Sequence, residues 1–425
     1  MSVKQRKIRK VLIANRGEIA LRIIRTVKEL DLEAIAVYEK PDSESNYIRS
    51  ADDAIMIGDR PRKEYLDIDK IIWAARKSEA DAIHPGYGFL SENADFSEAC
   101  EKAGIIFIGP PPQVIRDMGN KVVARGIMEK AGVPTIPGTG DLAPGEAGIL
   151  QAKEFAEKYG YPLMLKAAAG GGGRGIRKIA NWEELKIQLP LVRAETRTAF
   201  NDDRIYIEKC IESPRHIEIQ ILADYHGNVI HLGSRDCSIQ RRHQKLLEIA
   251  PADLPPNVLE AMYDAAIKGA KQAGYVNAGT VEFLVDSKTD EFWFMEMNTR
   301  LQVEHTVTEE LTGVDIVRQQ IRIAEGNVLD IPAERVHMLG KAVQVRINAE
   351  DPKNNFMPEG GKTLEVYHSP GGPGVRLDGV VYQGYRIPTD YDSLMVKMTV
   401  RGYNWEQTIQ RLKRSLNNFL IVGPK

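Results

Sequence analysis

The chain has 425 residues, more than one ordinary core holds, so two or three domains are expected. Its 57 Lys and Arg against 59 Asp and Glu leave a net charge of −2, which excludes a global field for DNA or a membrane surface. Hydrophobic residues are 43%, three cysteines (Cys100, Cys210, Cys237) lie far apart, and no apolar run approaches the ~18 residues of a spanning helix, so a reducing cytoplasm is the expected setting.

Lys10-Val-Leu-Ile-Ala14 predicts a buried strand and Asn15-Arg-Gly17 a turn. Ile19, Ala20, Ile23, Ile24, Val27 and Leu30 then mark one face of a helix, and Glu33 to Tyr38 the next strand. Strand, helix and strand with short links predict a parallel, doubly wound start. The turn lacks G-x-G-x-x-G, which argues against a nicotinamide site. Ala82-Ile-His84 breaks into a Gly- and Pro-rich loop reaching Asn93, at a strand's carboxyl end, where open α/β sheets hold ligands. Ile105 to Pro110 continues this pattern.

Pro and Gly punctuate Val133 to Gly140 and mark a boundary. A compact α/β segment follows from 151 to about 210, with strands at Leu163–Lys166 and Ile205–Lys209. Lys166-Ala-Ala-Ala-Gly-Gly-Gly-Gly-Arg-Gly175 follows the first of these. Successive glycines let backbone N–H groups approach phosphate oxygens. The lysine precedes the glycines and no Gly-Lys-Ser/Thr follows, so this is no Walker loop. A flap over nucleotide phosphates, bracketed by Lys166 and Arg174, is the better reading. The alternative is a flexible linker.

Asp236 to Lys245 concentrates cationic groups that could hold an anion. Residues 216–232 give longer strands. Gly279–Asp286 and Glu291–Asn298 predict a hairpin closed by a polar turn. With Asp286 opposite Phe292, Glu282 falls opposite Glu296. Facing carboxylates repel unless a proton or a metal lies between them, and oxygen donors of this kind suit Mg²⁺. Glu296, Asn298, Arg300, Gln302 and Glu304 are set two apart, so an extended segment aims them at one space that holds a cation and an anion together. The plain alternative is an exposed strand of mixed charge. A helix from Val314 to Ala324, strands from Lys341 and a helical segment from Glu406 to Leu420 complete the chain.

Six blocks carry a family resemblance: V-L-I-A-N-R-G-E-I-A (Val11–Ala20), H-P-G-Y-G-F-L-S-E-N (His84–Asn93), G-G-G-G-R-G (Gly170–Gly175), R-D-C-S-I-Q-R-R-H-Q-K (Arg235–Lys245), E-M-N-T-R-L-Q-V-E-H (Glu296–His305) and R-I-N-A-E-D (Arg346–Asp351). The chain resembles biotin carboxylase, the ATP-grasp subunit or domain of biotin-dependent carboxylases, in the family's order and over nearly its whole length.

The resemblance implies an α/β fold: a parallel-sheet, Rossmann-like N-terminal domain over 1–120, an ATP-grasp domain over 121–325 with a mobile lid at about 137–205, and a mixed, β-rich C-terminal domain over 340–425, read as incomplete. It implies carboxylation of biotin on a carrier with ATP and bicarbonate, through carboxyphosphate. Lys121, Lys166 and the flap glycines Gly171, Gly172 and Gly173 would meet the phosphates. Glu208 and Lys209 would hold the adenine end, with His216, Gln240 and His243 around the nucleotide. Glu282, Glu296 and Asn298 would ligate Mg²⁺ or Mn²⁺. Arg300, Gln302 and the Val303 backbone would hold bicarbonate, Glu304 would deprotonate it, and Lys245 would steady carboxyphosphate. Arg346 would stabilise the biotin enolate, with Tyr87 and Gly88 beside the ureido ring.

The implied partners are a biotin carboxyl carrier protein or domain, a carboxyltransferase and a second copy in a homodimer, with no nucleic acid and no membrane. His305-Thr-Val-Thr-Glu309, Lys166-Ala-Ala-Ala, Glu248-Ile-Ala-Pro251 and Gly374–Asp378 lean to the pyruvate carboxylase branch, which favours pyruvate or another 2-oxo acid as final acceptor, with an acyl-CoA as the close second. Pro373 stands where the bacterial homodimer usually places Phe. Leu394-Met-Val-Lys-Met398 imitates the carrier's A-M-K-M but falls in a predicted strand. The rivals are another ATP-grasp ligase and a non-catalytic nucleotide-binding protein with a regulatory role.

Overall fold

The computed structural model describes residues 5–168, 175–200, 202–242, 244–332 and 336–425. The flap residues Gly171, Gly172, Gly173 and Arg174, and also His243, lie outside them.

The N-terminal sheet has five parallel strands in the order Asp53–Gly58, Glu33–Glu39, Lys10–Ile13, Ala82–His84, Ile106–Phe107. Strand order reverses beside Lys10–Ile13, so the loops leaving that strand and Ala82–His84 open a crevice. Asn15 ties the two loops together, its Nδ2 donating to the carbonyls of Pro85 at 2.7 Å and Tyr87 at 2.8 Å. Gly86 lies at φ +65°, where a Cβ would meet Asn15 Nδ2 at 2.9 Å, so only glycine lets the loops close this tightly. Helix Gly17–Glu29 buries Ile19, Ala20, Ile23, Ile24 and Val27, the face its sequence predicts.

The second sheet has eight strands: Phe292–Asn298, Asn277–Val285, Arg215–Ala223, Val229–Arg241, Gln244–Ala250, Lys341–Asn348, Leu394–Gly402 and Val375–Gly379. Its last three come from the C-terminal part of the chain. They continue the central sheet through Gln244–Ala250 against Lys341–Asn348, with Glu248 opposite Gln344. One face packs Ile217, Ile219, Ile221, Val281 and Phe283 into a buried layer with helix Pro256–Gln272.

A third sheet, Ile176–Ile179, Leu163–Ala167 and Ile205–Lys209, packs with helices Glu146–Tyr159 and Trp182–Phe200 around its own core of Phe155, Leu163, Leu165, Leu189, Val192 and Ile207. No helix among the described residues is long and apolar enough to cross a membrane.

The hairpin register differs from the sequence reading at its turn. Val285, not Asp286, opposes Phe292, and a shift at Met295 then restores Glu282 opposite Glu296. The second strand carries one extra residue, as a bulge does. The run of five alternating polar residues is also shorter than expected. Its strand ends at Asn298, Arg300 to Val303 form a loop, and Glu304, with φ −86° and ψ 7°, already turns into helix His305–Thr312.

Candidate active site

A cavity of about 1480 Å³ opens between the three sheets, and Glu282, Glu296, Lys245, Glu304, Arg346 and Tyr87 are among its walls. A cross-strand row of charged residues runs beneath it, of which Glu282 and Glu296 reach the cavity wall. Arg235 opposes Glu218, Glu218 opposes Glu282, and Glu282 opposes Glu296, so four strands each contribute one charged residue. Glu218 belongs to His216-Ile-Glu-Ile-Gln220, where polar residues alternate with the isoleucines of the buried layer. That period of two was the available signal for Glu218, which the sequence reading missed.

Lys245 gathers the acids. Its Nζ donates to Glu304 Oε1 at 2.6 Å, Glu218 Oε2 at 2.7 Å and Glu282 Oε1 at 2.9 Å. Arg235, 0% exposed, pairs with Glu218 and donates to Gln302 Oε1 at 2.6 Å and Thr308 Oγ1 at 2.9 Å. Burial alone would push these carboxyls up. For Glu282, Lys245 and His216 outweigh it and hold the group below its ordinary range. For Glu304, burial is likewise outweighed, chiefly by Lys245 and then by Arg346 and Arg235. For His216 burial would lower the ring, but the Glu282 carboxylate at 2.6 Å outweighs it and holds the group above its ordinary value.

Glu296 behaves differently. Burial and the facing Glu282 raise its carboxyl, with Lys121 opposing them. Among the described residues that carboxyl makes no hydrogen bond or ion pair, while Asn298 Nδ2 donates to Glu282 Oε1 at 2.8 Å. His216, Glu218 and Glu282 also bring ligand atoms within 4.8 Å of one another, as do Glu218, Cys237 and Glu304, but Lys245 and Arg235 already serve these groups. The acid left open is Glu296. An oxygen donor set with an uncompensated carboxylate fits a hard dication.

The loop beyond Asn298 still turns inward. Arg300 is held by Glu92 at 2.8 Å and by Asn298 Oδ1 at 2.9 Å, and Gln302 Nε2 donates to Glu282 Oε1 at 2.7 Å. Arg346 binds Glu248 Oε1 at 2.5 Å and approaches Glu304 Oε2 at 3.3 Å. Glu248 is pushed up to about 7 by burial, with Arg346 pulling it down and Glu304 pushing it up. The sequence reading gave Glu248 no role. At the lid end, Lys166 Nζ lies 2.5 Å from Glu208 Oε2, and Gln240 Nε2 lies 3.1 Å from His216 Nδ1.

Of the sequence candidates, Lys121, Lys166, Glu208, His216, Gln240, Lys245, Glu282, Glu296, Asn298, Arg300, Gln302, Val303, Glu304, Arg346 and Tyr87 line this one cavity. Lys209 and Gly88 do not; the Lys209 ammonium lies 5.9 Å from the centroid of the Trp293 ring, which is also outside the lining.

Three family descriptions match the chain in succession: "Biotin carboxylase, N-terminal domain" over 7–115, "Carbamoyl-phosphate synthase L chain, ATP binding domain" over 120–332 and "Biotin carboxylase C-terminal domain" over 344–425. Biotin carboxylase 1 of Bacillus subtilis is 49% identical over 418 residues, 98% of this chain and 92% of that protein. Pyruvate carboxylase of the same organism is 48% identical over 434 aligned residues, which span 100% of this chain and 37% of that longer protein. The biotin carboxylase domain dimer of Hydrogenobacter thermophilus 2-oxoglutarate carboxylase, solved with MgADP, ADP and bicarbonate, superposes with a TM-score of 0.91 at 48% identity, covering 99% of this chain and 92% of that one. Flanking matches of the biotin carboxylase type, on both sides of a more widely shared ATP-binding core, place this chain in the biotin carboxylase family.

Proposed function

We propose that the cavity joins ATP and bicarbonate at the Glu282–Lys245–Glu304 centre and passes the carboxyl group to biotin beside Arg346 and Tyr87. The chain is a biotin carboxylase, an ATP-dependent ligase performing the first half-reaction of a biotin-dependent carboxylase. The observation that carries the residue roles is the Lys245 ammonium, bonded at once to Glu218, Glu282 and Glu304. A substrate anion entering there competes for that ammonium. As Lys245 turns to the anion, Glu304 loses its nearest cation and becomes a stronger base, fit to take the bicarbonate proton. Arg300 and Gln302 hold bicarbonate from the same loop, so base and anion clamp share one backbone.

Glu282, Glu296 and Asn298 would hold Mg²⁺, which neutralises charge on the transferring phosphoryl group. Lys166 leaves Glu208 for the phosphates, joined there by Lys121, which lines the same cavity. Bicarbonate attacks the γ-phosphorus, ADP leaves, and carboxyphosphate breaks down to CO₂ and phosphate. The phosphate oxygens then take the N1 proton of biotin, whose enolate Arg346 stabilises as it attacks CO₂. The relatives' place in biotin-dependent carboxylases implies a biotin carrier and a carboxyltransferase as companions. A dimer follows the Hydrogenobacter domain. For the final acceptor, the Thr306–Thr308 and Lys166–Ala169 motifs favour a 2-oxo acid such as pyruvate.

ADP release measured with bicarbonate and Mg²⁺ tests this reading. Free biotin at high concentration should raise the rate. Equal rates with and without biotin would sink it, and ADP release independent of bicarbonate would favour another ATP-grasp ligase.

A further inference from the structure

Lys397, the lysine of the carrier-like run, is fully buried at 0% exposure in strand Leu394–Gly402 and does not line the cavity. Its ammonium donates to the Val303 carbonyl at 2.9 Å and lies 3.0 Å from Glu18 Oε1. The Tyr87 hydroxyl donates to the same carboxylate oxygen, and the Tyr87 ring centroid lies 5.7 Å from the ammonium. Glu18 sits in the first turn of helix Gly17–Glu29 and is itself buried. Asp378, cross-strand neighbour of Lys397, is committed to Arg376 at 2.7 Å.

A buried ion pair is a costly way to fill space, because apolar residues of similar volume do so without desolvating two charges. This pair does something an apolar pair cannot. Val303 lies between Gln302 and Glu304, both in the cavity wall. A cation on its carbonyl fixes the peptide plane that leads into Glu304. Through Glu18 the same cation fixes the Tyr87 hydroxyl, on a loop of the other sheet. We propose that Lys397 is a positioning residue that sets, from behind the wall, the spacing between the bicarbonate loop and the biotin-facing Tyr87. The inference rests on the reading that Gln302, Val303 and Glu304 surround bicarbonate.

Lys397→Met removes the donor and keeps the volume. The double variant Glu18→Gln/Lys397→Met also removes the stranded charge, which separates folding from positioning. Both are compared with the wild-type chain by thermal melting and by steady-state ADP release. In the double variant the expected result is a near-wild-type melting temperature. Its KM for bicarbonate should rise roughly tenfold, in line with the loss of one charged hydrogen bond, while its KM for ATP stays within twofold. Unchanged KM for bicarbonate would overturn the proposal, and so would equal rises in both constants. Failure of both variants to fold would make the pair a structural element only and also overturn it. A wild-type chain without bicarbonate-dependent ADP release would instead bring down the function reading, and this inference with it.

Discussion

Glu296 shows how a single side chain trades stability for chemistry. It faces Glu282 across two strands, partly buried and without a partner among the described residues, and its carboxyl is raised by burial and by that neighbour. A carboxyl raised on folding contributes stability that is full below its unfolded value and is lost as pH rises through its folded value. Glu296→Gln should therefore raise the melting temperature of the ligand-free protein at neutral pH. The gain should shrink as pH falls and Glu296 protonates. The same change should lower Mg²⁺-dependent turnover by roughly 100-fold or more, because the proposed metal set would lose a carboxylate charge. Melting curves at two pH values and a turnover assay check both halves; a variant less stable at neutral pH, or as active as the wild type, would contradict the reading. At this scale the site was largely legible, because acids, amides and cations alternating through Glu296–Glu304 are unusual in a plain strand. Glu218 was missed although it alternates with buried isoleucines, and Glu248 was given no role, since a lone acid beside Leu246, Leu247 and Ile249 announces nothing until its cross-strand neighbours are known.

Among the elements, the three-stranded sheet with its two helices forms a body with its own core. Its strand Ile205–Lys209 also holds the chain that enters it, Thr139 N donating to Ile207 O at 2.8 Å and Lys209 N to Pro137 O at 2.8 Å. Lys166 and Glu208 pair at its inner edge. ATP should recruit both and draw the body onto the cavity, so amide hydrogen exchange across 142–207 should slow at saturating ATP. Exchange rates unaltered by nucleotide would refute lid closure. The sequence located these strands because apolar runs bounded by Gly and Pro are local signals. It misplaced the hairpin register by one at the turn, since the extra residue at Met295 leaves the composition of the strand untouched. It also carried the strand past Asn298, because alternation persists in the loop even though the backbone has begun to turn toward helix His305–Thr312.

Across the whole molecule, the eight-stranded sheet unites parts that the sequence reading kept in separate domains. Gln244–Ala250 pairs with Lys341–Asn348 across a long stretch of intervening chain, and local pattern names strands but not their neighbours. Arg346 and Glu282 thus stand on one hydrogen-bonded framework. A fragment ending at residue 332 would leave Gln244–Ala250 as a bare edge and Glu248 without Arg346. Size-exclusion chromatography should find that fragment aggregated, and a monodisperse, cooperatively melting fragment would show that the sheet is divisible. The charged row Arg235–Glu218–Glu282–Glu296 has a consequence for how the chain finds this sheet. A slip of one residue in any of the four strands would turn its charge into the layer of Ile217, Ile219, Val281 and Phe283. Misaligned pairings are thereby penalised while the protein folds, so the charged row beneath the cavity also proofreads the assembly of the scaffold that carries it.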